Sequence, residues 1–343
     1  MSSQLWRVLL SLASMTTLLA LISCDEPPDI PAQPYRLISA TTTPATALDV
    51  DAEGHYVAVA ASAYGGVVYD VSNLAHPVQI YRDTVDISAS CRRVAIETVH
   101  NYIYTDADAT QTDSYFLMNF IDGSRPWQGD FNFSSNVDEV QMVATADSVI
   151  VFRTDYSPGD GLQSSLICRT SDTTWDGTAC PWWDQQWSPL RPRVRGFGLS
   201  PDQQYAAVAV DDQGIHLNRV NPFESLGDTI TTGVAYDCAW SGNYVYVADR
   251  YRISVVDASD PHHPFVVTSI AITGADRMAR VVIDGNYAFF LDELDGIYVV
   301  DISNPLQPRH IQTLSLQEPT SLDAFDGKLF VTDAVQGLVI YSR

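Results

Sequence analysis

The sequence predicts an all-β protein: a seven-bladed β-propeller whose last blade is closed by an N-terminal strand. Three observations predict it. A strand-ending motif recurs along the chain, its copies stand about 40–50 residues apart, and the final unit is one strand short. No stretch shows a sustained helical period. Tyr and Val dominate the apolar runs, as a pleated, half-buried surface prefers.

The motif is Val67-Val68-Tyr69-Asp70-Val71-Ser72-Asn73. It returns as Val255-Val256-Asp257-Ala258-Ser259-Asp260-Pro261 and as Val299-Val300-Asp301-Ile302-Ser303-Asn304-Pro305, with a weaker copy at Asn218-Arg219-Val220-Asn221-Pro222. Each copy ends an apolar strand in turn chemistry. An Asp or Asn side chain can bond the main chain two residues on, and Pro stops the strand. With the Asp position as a ruler, seven phases fall at Asp70, Asn119, Cys168, Asn218, Asp257, Asp301 and Ser342, with gaps of 49, 49, 50, 39, 44 and 41 residues.

The fifth unit shows the pattern most clearly. Its strands are expected at Val234–Trp240, Tyr244–Ala248, Ile253–Asp257 and Phe265–Ile272, with turns at Gly242-Asn243 and Asp249-Arg250-Tyr251. The last unit has strands at Pro319–Ala324, Leu329–Thr332 and Leu338–Tyr341, and then the sequence ends at Arg343. The orphan segment Tyr35–Thr41 reads like a fourth strand and is expected to complete that unit, removing an edge that would invite aggregation.

The N-terminus reads as export and anchoring. Arg7 precedes an apolar run from Val8 to Ile22 that is too short and polar for a transmembrane helix and suits a signal peptide. It ends in Leu21-Ile22-Ser23-Cys24, which looks like a lipobox. That resemblance implies cleavage after residue 23 and a lipidated Cys24, anchored by two or three acyl chains. Residues 24–34 carry four prolines and are expected to form an extended stalk; residues 35–343 form the propeller. Asp25 resembles an inner-membrane retention signal. The expected location is the bacterial cell envelope: the periplasmic face of the inner or outer membrane, or the cell surface.

Removing residues 1–23 takes only Arg7 from the 19 Lys+Arg and leaves 42 Asp+Glu, hence a net charge of −24. That argues against nucleic acid and against docking on anionic lipid. It suits a self-repelling, monomeric propeller or a cationic partner.

The units resemble the LVIVD repeat of bacterial β-propellers. Gly242-Asn243-Tyr244-Val245-Tyr246-Val247-Ala248-Asp249 carries the resemblance, as do Gly285-Asn286-Tyr287 and Gly296-Ile297-Tyr298-Val299-Val300-Asp301. It is good over residues 47–85 and 234–343 and poor over 86–200. It implies fold and a periplasmic or cell-surface location, and says little about ligand.

Several units place Asp where the second strand turns into the third: Asp106, Asp211, Asp249, Asp292 and Asp333. An acidic ring on one face could attract a cation or a basic partner. The simpler reading, which we favour, is that Asp makes a good hairpin turn. Asp106-Ala107-Asp108-Ala109-Thr110 resembles the opening of a calcium loop, but Gln111 and Leu117 stand where Gly and an acidic residue are needed, so an ordinary polar loop is the better reading. No cofactor is otherwise evident, and Ca²⁺ is the one weak suggestion.

Cys168 and Cys180 stand twelve apart in the longest insertion, where a disulfide would staple the loop in an oxidising compartment. Cys91 and Cys238, on first strands of units two and five, read as buried thiols. The same insertion holds Trp175, Trp182, Trp183 and Trp187. Trp is enriched at binding hot spots, so these are the preferred partner contacts, although packing back on a blade edge accounts for them at least as well. Signatures of serine hydrolases, zincins and P-loop enzymes are absent.

Two functions follow. The first is a non-enzymatic, membrane-anchored module that binds an envelope protein. The second is a lactonase-like propeller hydrolase with a metal or carboxylate site at the channel mouth. Convergence of three or more carboxylate, Asn or His side chains within metal-ligand distance at the axis would favour the hydrolase.

Overall fold

The computed structural model describes residues 35–83, 90–108, 113–124, 127–131, 137–144, 149–155, 161–167, 186–187, 194–220, 223–226, 230 and 232–343. Among them there is no helix, and the strands form seven four-stranded antiparallel sheets, like propeller blades.

The first sheet is β2 (Asp49–Glu53), β3 (Tyr56–Ala60), β4 (Gly66–Asp70) and β5 (Val78–Arg82). The second is β6 (Ser90–Glu97), β7 (Tyr102–Asp108), β8 (Asp113–Asn119) and β9 (Trp127–Phe131). The third is β10 (Val137–Ala144), β11 (Val149–Asp155), β12 (Gly161–Ile167) and β13 (Gln186–Trp187). The fourth is β14 (Phe197–Leu199), β15 (Tyr205–Ala209), β16 (Ile215–Val220) and β17 (Phe223–Ser225). The fifth is β18 (Ala235–Ser241), β19 (Tyr244–Asp249), β20 (Arg252–Asp257) and β21 (Phe265–Ala271). The sixth is β22 (Met278–Asp284), β23 (Tyr287–Asp292), β24 (Gly296–Asp301) and β25 (Arg309–Leu314). In the seventh, β26 (Pro319–Phe325), β27 (Lys328–Asp333) and β28 (Gly337–Ser342) take their fourth strand from the other end of the described chain, β1 (Arg36–Thr41).

The orphan segment therefore lies where its pattern places it. Leu37 faces Tyr341 and Thr41 faces Leu338 across an antiparallel ladder. Tyr35 fastens its start. Its N–H donates to Gln312 Oε1 (2.8 Å) on β25, and Gln312 Nε2 donates back to the Tyr35 carbonyl (2.9 Å). Its ring packs edge-on against Phe289, 5.0 Å between centroids.

Each strand position has its own burial. The second strands read as continuous apolar runs, such as YVYVAD in β19 and YAFFLD in β23, because sheets pack on both their faces. The fourth strands are largely exposed. Seven apolar clusters each join neighbouring sheets. One sets Val57, Val59 and Val67 of the first sheet against Phe330, Leu338 and Ile340 of the seventh. Another sets Tyr246 and Val255 of the fifth against Phe290 and Tyr298 of the sixth.

The Asp ruler holds in five units and slips by one residue in two. Asp70, Asn119, Asp257, Asp301 and Ser342 face the first residue of their second strand. In the third and fourth units that position is Ile167 and Arg219, not Cys168 and Asn218. Asn218 is fully buried, which is the opposite side of the pleat from a turn-forming Asp.

Candidate functional site

The first strand of each sheet has a pairing partner on one side only, so the N–H groups on its other side need acceptors. The sequence supplies them from the neighbouring sheet. In β2, Asp49, Asp51 and Glu53 alternate with apolar residues, so a period of two puts all three on one face. That face meets β6. Asp49 Oδ2 accepts from Val94 N–H (3.2 Å), Asp51 Oδ2 from Ile96 N–H (2.7 Å) and Glu53 Oε2 from Thr98 N–H (2.7 Å).

The device recurs between other sheets. Glu139 Oε2 on β10 accepts from Phe197 N–H (2.9 Å) on β14, and Asp237 Oδ2 on β18 from Val281 N–H (2.8 Å) on β22. Asp284 Oδ2, at the end of β22, accepts from Gly327 N–H (2.6 Å), and Asp323 Oδ2 on β26 from Ala52 N–H (2.8 Å) on β2.

Between these strands lies a cavity of about 380 Å³, lined by residues of the first strands of all seven sheets. Among the described residues six carboxylates line it: Asp49, Asp51, Glu53, Glu139, Asp237 and Asp323. The basic residue among the lining is Arg280. Its guanidinium stands 3.7 Å from Asp49 and close enough to Glu139 and Asp237 to stabilise their charge. Burial and Asp323 hold Asp51 well above the ordinary carboxylate range, and burial and Glu139 do the same for Asp237. Burial raises Glu139 too, and lifts Asp323 to about 6. Among the described residues no group of three or more His, Cys, Asp or Glu side chains has a metal-binding arrangement.

The fourth sheet approaches this cluster with glycine. A Cβ on Gly196 would collide with Asp237 Oδ1 and stand 2.8 Å from Glu139 Oε2, and one on Gly198 would stand 2.5 Å from the Cys238 carbonyl. Cys238 and Cys91 are buried free thiols, raised by burial and then by nearby carboxylates: Asp237 and Glu139 for Cys238, Asp106 for Cys91.

The turn aspartates do a different job. Asp292 Oδ2 accepts from Asp276 and Arg277 N–H (both 2.9 Å), while its Oδ1 accepts from Leu294 (3.0 Å) and Asp295 (3.3 Å). Asp333 repeats this with Gln317, Glu318, Val335 and Gln336. Asp106 Oδ1 accepts from Arg92 and Arg93 N–H (3.0 and 2.5 Å), and burial raises it to about 6 against those bonds. Asp249 is buried beside Arg252 (3.7 Å) and Ser254, and Asp211 pairs with Arg195 (3.3 Å). These carboxylates bond within their own sheets and the loops that lead into them.

Asp106 and Asp108, read as the opening of a calcium loop, lie on β7, where Ser90 faces Asp108; their alternation with Ala107 has the period of a strand. Residues 109–112 lie outside the described residues, as do Cys24, Cys168, Cys180, Trp175, Trp182 and Trp183. Trp187 ends β13, its backbone opposite Gln163.

Sequence reasoning missed the carboxylates of this cavity and singled out none of them. The signal was present: acidic residues at alternate positions of first strands, where one half of the positions should be apolar.

The LVIVD repeat model matches residues 44–82, 232–271 and 277–313. Those segments hold the first, fifth and sixth sheets. No curated protein matches the chain. Among solved structures, the crystal structure of the WD40 beta propeller domain of Doa1 superposes with a TM-score of 0.65 at 11% identity, covering 91% of this chain and 98% of that one. At that identity the likeness speaks for fold alone.

Proposed function

We propose that this LVIVD-repeat chain is a seven-bladed β-propeller closed by its N-terminal strand, held on the bacterial envelope by lipid on Cys24, and that it works as a non-enzymatic interaction module for an envelope protein. The observation that carries the reading over a propeller hydrolase is the employment of the axial carboxylates. Each of the six accepts a main-chain N–H from a neighbouring sheet. A metal-dependent hydrolase needs carboxylates aimed at a metal or a water; these are aimed at the fold. The repeats and the WD40-like superposition support a propeller, a fold whose loops and edges suit binding.

Cys24→Ala tests the anchor: the protein should lose its acyl chains and no longer partition with membranes, and a variant that still fractionates with them sinks the lipoprotein reading. The binding half is tested by pull-down from detergent-solubilised envelopes. Replacing residues 170–186 by a short Gly-Ser turn, with Cys168→Ser, should leave a folded protein that no longer retains the partner of the parent. Full retention would clear the tryptophan-rich insertion, and unfolding would make its tryptophans core.

A further inference from the structure

Carboxyl groups converge at two points in the axial cavity. At the first, the Ala52 N–H is shared between Asp323 Oδ2 (2.8 Å) and Asp51 Oδ1 (3.1 Å), which sets the two carboxyl groups side by side. At the second, Asp237 Oδ1 and Glu139 Oε2 both border the space that a side chain on Gly196 would fill, and the charge of Glu139 raises Asp237. Two carboxyl groups held this close do not ionise together, so one of each pair keeps its proton above the ordinary carboxylate range.

Both pairs span sheets. The first runs from Asp323 on β26 to β2, and through Asp51 to Ile96 on β6. The second runs from Phe197 on β14 through Glu139 on β10 to Asp237 on β18, and on to Val281 on β22. Together they touch the first strand of every sheet.

We propose that Asp51–Asp323 and Glu139–Asp237 are proton-sharing clamps that hold the first strands together in acid and slacken as the pH rises, making the cavity a pH-responsive element. The shared proton leaves to solvent, and two carboxylates then face each other across a sheet junction. Other charges modulate the pairs without replacing the proton. Asp49 and Glu53 flank Asp51 on β2, and the charge of Asp49 raises Asp51 and Asp323. Arg280 on β22 reaches Asp49, Glu139 and Asp237, one cation for three acids. The Cys238 thiol on β18 lies beside the second pair. The fourth sheet meets that pair with Gly196 and the Phe197 amide, and from β6 Asp51 meets the Ile96 amide.

The sign follows from linkage. A carboxyl whose folded pKa is raised binds extra protons in the folded state. Its stabilisation is complete below the ordinary carboxylate range and is lost as the pH rises through the folded value, about 6 for Asp323.

The test is a titration of the full chain in detergent, followed by infrared spectroscopy and by amide exchange corrected for its intrinsic pH dependence. A protonated-carboxyl band should persist at about pH 6, above the ordinary carboxylate range, and fade as the pH is raised further. Protection of peptides containing Ala52, Ile96, Phe197 and Val281 should fall roughly tenfold or more over that rise, as a shift of one pKa unit or more requires. Peptides around Asp333 should change far less. Asp51→Asn with Glu139→Gln, which keeps an acceptor and supplies a permanent donor, should remove the pairs' share of the band, leaving that of Asp106, and flatten the profile. Absence of the band, an unchanged wild-type profile, or a variant that keeps the wild-type slope would each overturn the proposal. The wild-type titration decides even if the variant does not fold.

Discussion

Asp51 and Asp333 are the same residue type, the first half-buried on the cavity wall and the second fully buried, yet their environments push them in opposite directions. Burial and Asp323 raise Asp51 well above the ordinary range. Burial acts on Asp333 too, but the amides of Glu318, Gln336, Val335 and Gln317 outweigh it and hold the carboxyl below that range. What separates the two is the supply of donors. The turn aspartate sits where two loops of its own sheet aim four N–H groups at it. The axial aspartate receives one N–H from the next sheet and shares another with a second acid. A turn carboxylate is thus a local clip that works ionised, and an axial one is a joint between sheets that works with a shared proton.

The largest expected effect comes from breaking the joint at its outer edge. The seam between β26 and β2 carries the Asp51–Asp323 pair on the inside; outside, β1 closes the seventh sheet. Deleting residues 35–41 would strip β28 of its ladder partner and remove the Tyr35–Gln312 latch. We expect aggregation, or a drop in melting temperature large enough to lose the folded monomer, because an open strand edge recruits other chains. A deletion protein as stable and monomeric as the parent would mean that the axial acids hold the seam alone.

Next comes the clip. Asp333→Ala leaves four main-chain donors around a fully buried position without their acceptor. An unsatisfied buried donor costs about 1–3 kcal/mol, and water will rescue some of them, so a net loss of roughly 3–5 kcal/mol at neutral pH is expected. The sign with pH is opposite to that of the axial pairs. A depressed folded pKa contributes stability above the ordinary carboxylate value and loses it as the pH falls through the folded one. Parent and variant should therefore converge in strong acid, which denaturant melts at several pH values would show.

These two jobs were unequally legible in the sequence. The clip was readable because it is local: Asp at a strand end bonds amides a few residues away, and the favoured hairpin reading of Asp292 and Asp333 needs no knowledge of other sheets. The third-strand markers were readable for the same reason. The fifth unit's strands fall within one or two residues of their expected bounds. The joint was not readable, since Asp51 meets Ile96 and Asp323 meets Ala52 across separations of 45 and 271 residues. A bond of one repeat length looks like nothing until the repeats are stacked. The slip at Ile167 and Arg219 has another cause: those units lack the Asp-x-Ser turn, so spacing alone had to place them.

A smaller change should sharpen the contrast by prying one axial pair apart. A Cβ on Gly196 meets Asp237 Oδ1 and Glu139 Oε2, so Gly196→Ala forces that pair to separate without touching either acid. Overpacking of this kind costs about 1–3 kcal/mol. The Glu139–Asp237 proton should become easier to lose, and the midpoint of the infrared carboxyl band should move to lower pH. A variant with the parent's midpoint would show that the pair tolerates separation and that its proton is held by burial alone.

The smallest effect is expected at the third kind of aspartate, the one that marks the repeat. Asp70 Oδ1 accepts from Ser72 N–H (2.8 Å) and Ser72 Oγ–H (2.6 Å), and those bonds hold its carboxyl below the ordinary range. Asp257 with Ser259 and Asp301 with Ser303 make the same main-chain bond two residues on. A second such turn follows at once, from Asn73, Asp260 and Asn304 to Ala75, His262 and Leu306. The recurring sequence is thus a tandem of two side-chain-closed turns that leads the third strand into the fourth. These bonds lie at the surface, where water replaces a lost acceptor at little cost. Asp70→Ala should cost on the order of 0.5 kcal/mol, a fraction of what Asp333→Ala costs, although both remove an aspartate that closes a turn. Asp70→Asn, which keeps the Oδ1 acceptor, should cost less still. The ranking Asp333→Ala, then Asp70→Ala, then Asp70→Asn in matched melts is what burial of the donors demands. An Asp70→Ala loss as large as that of Asp333→Ala would mean that the tandem turn governs the placing of β5, and that the repeat signature is a folding element before it is a turn.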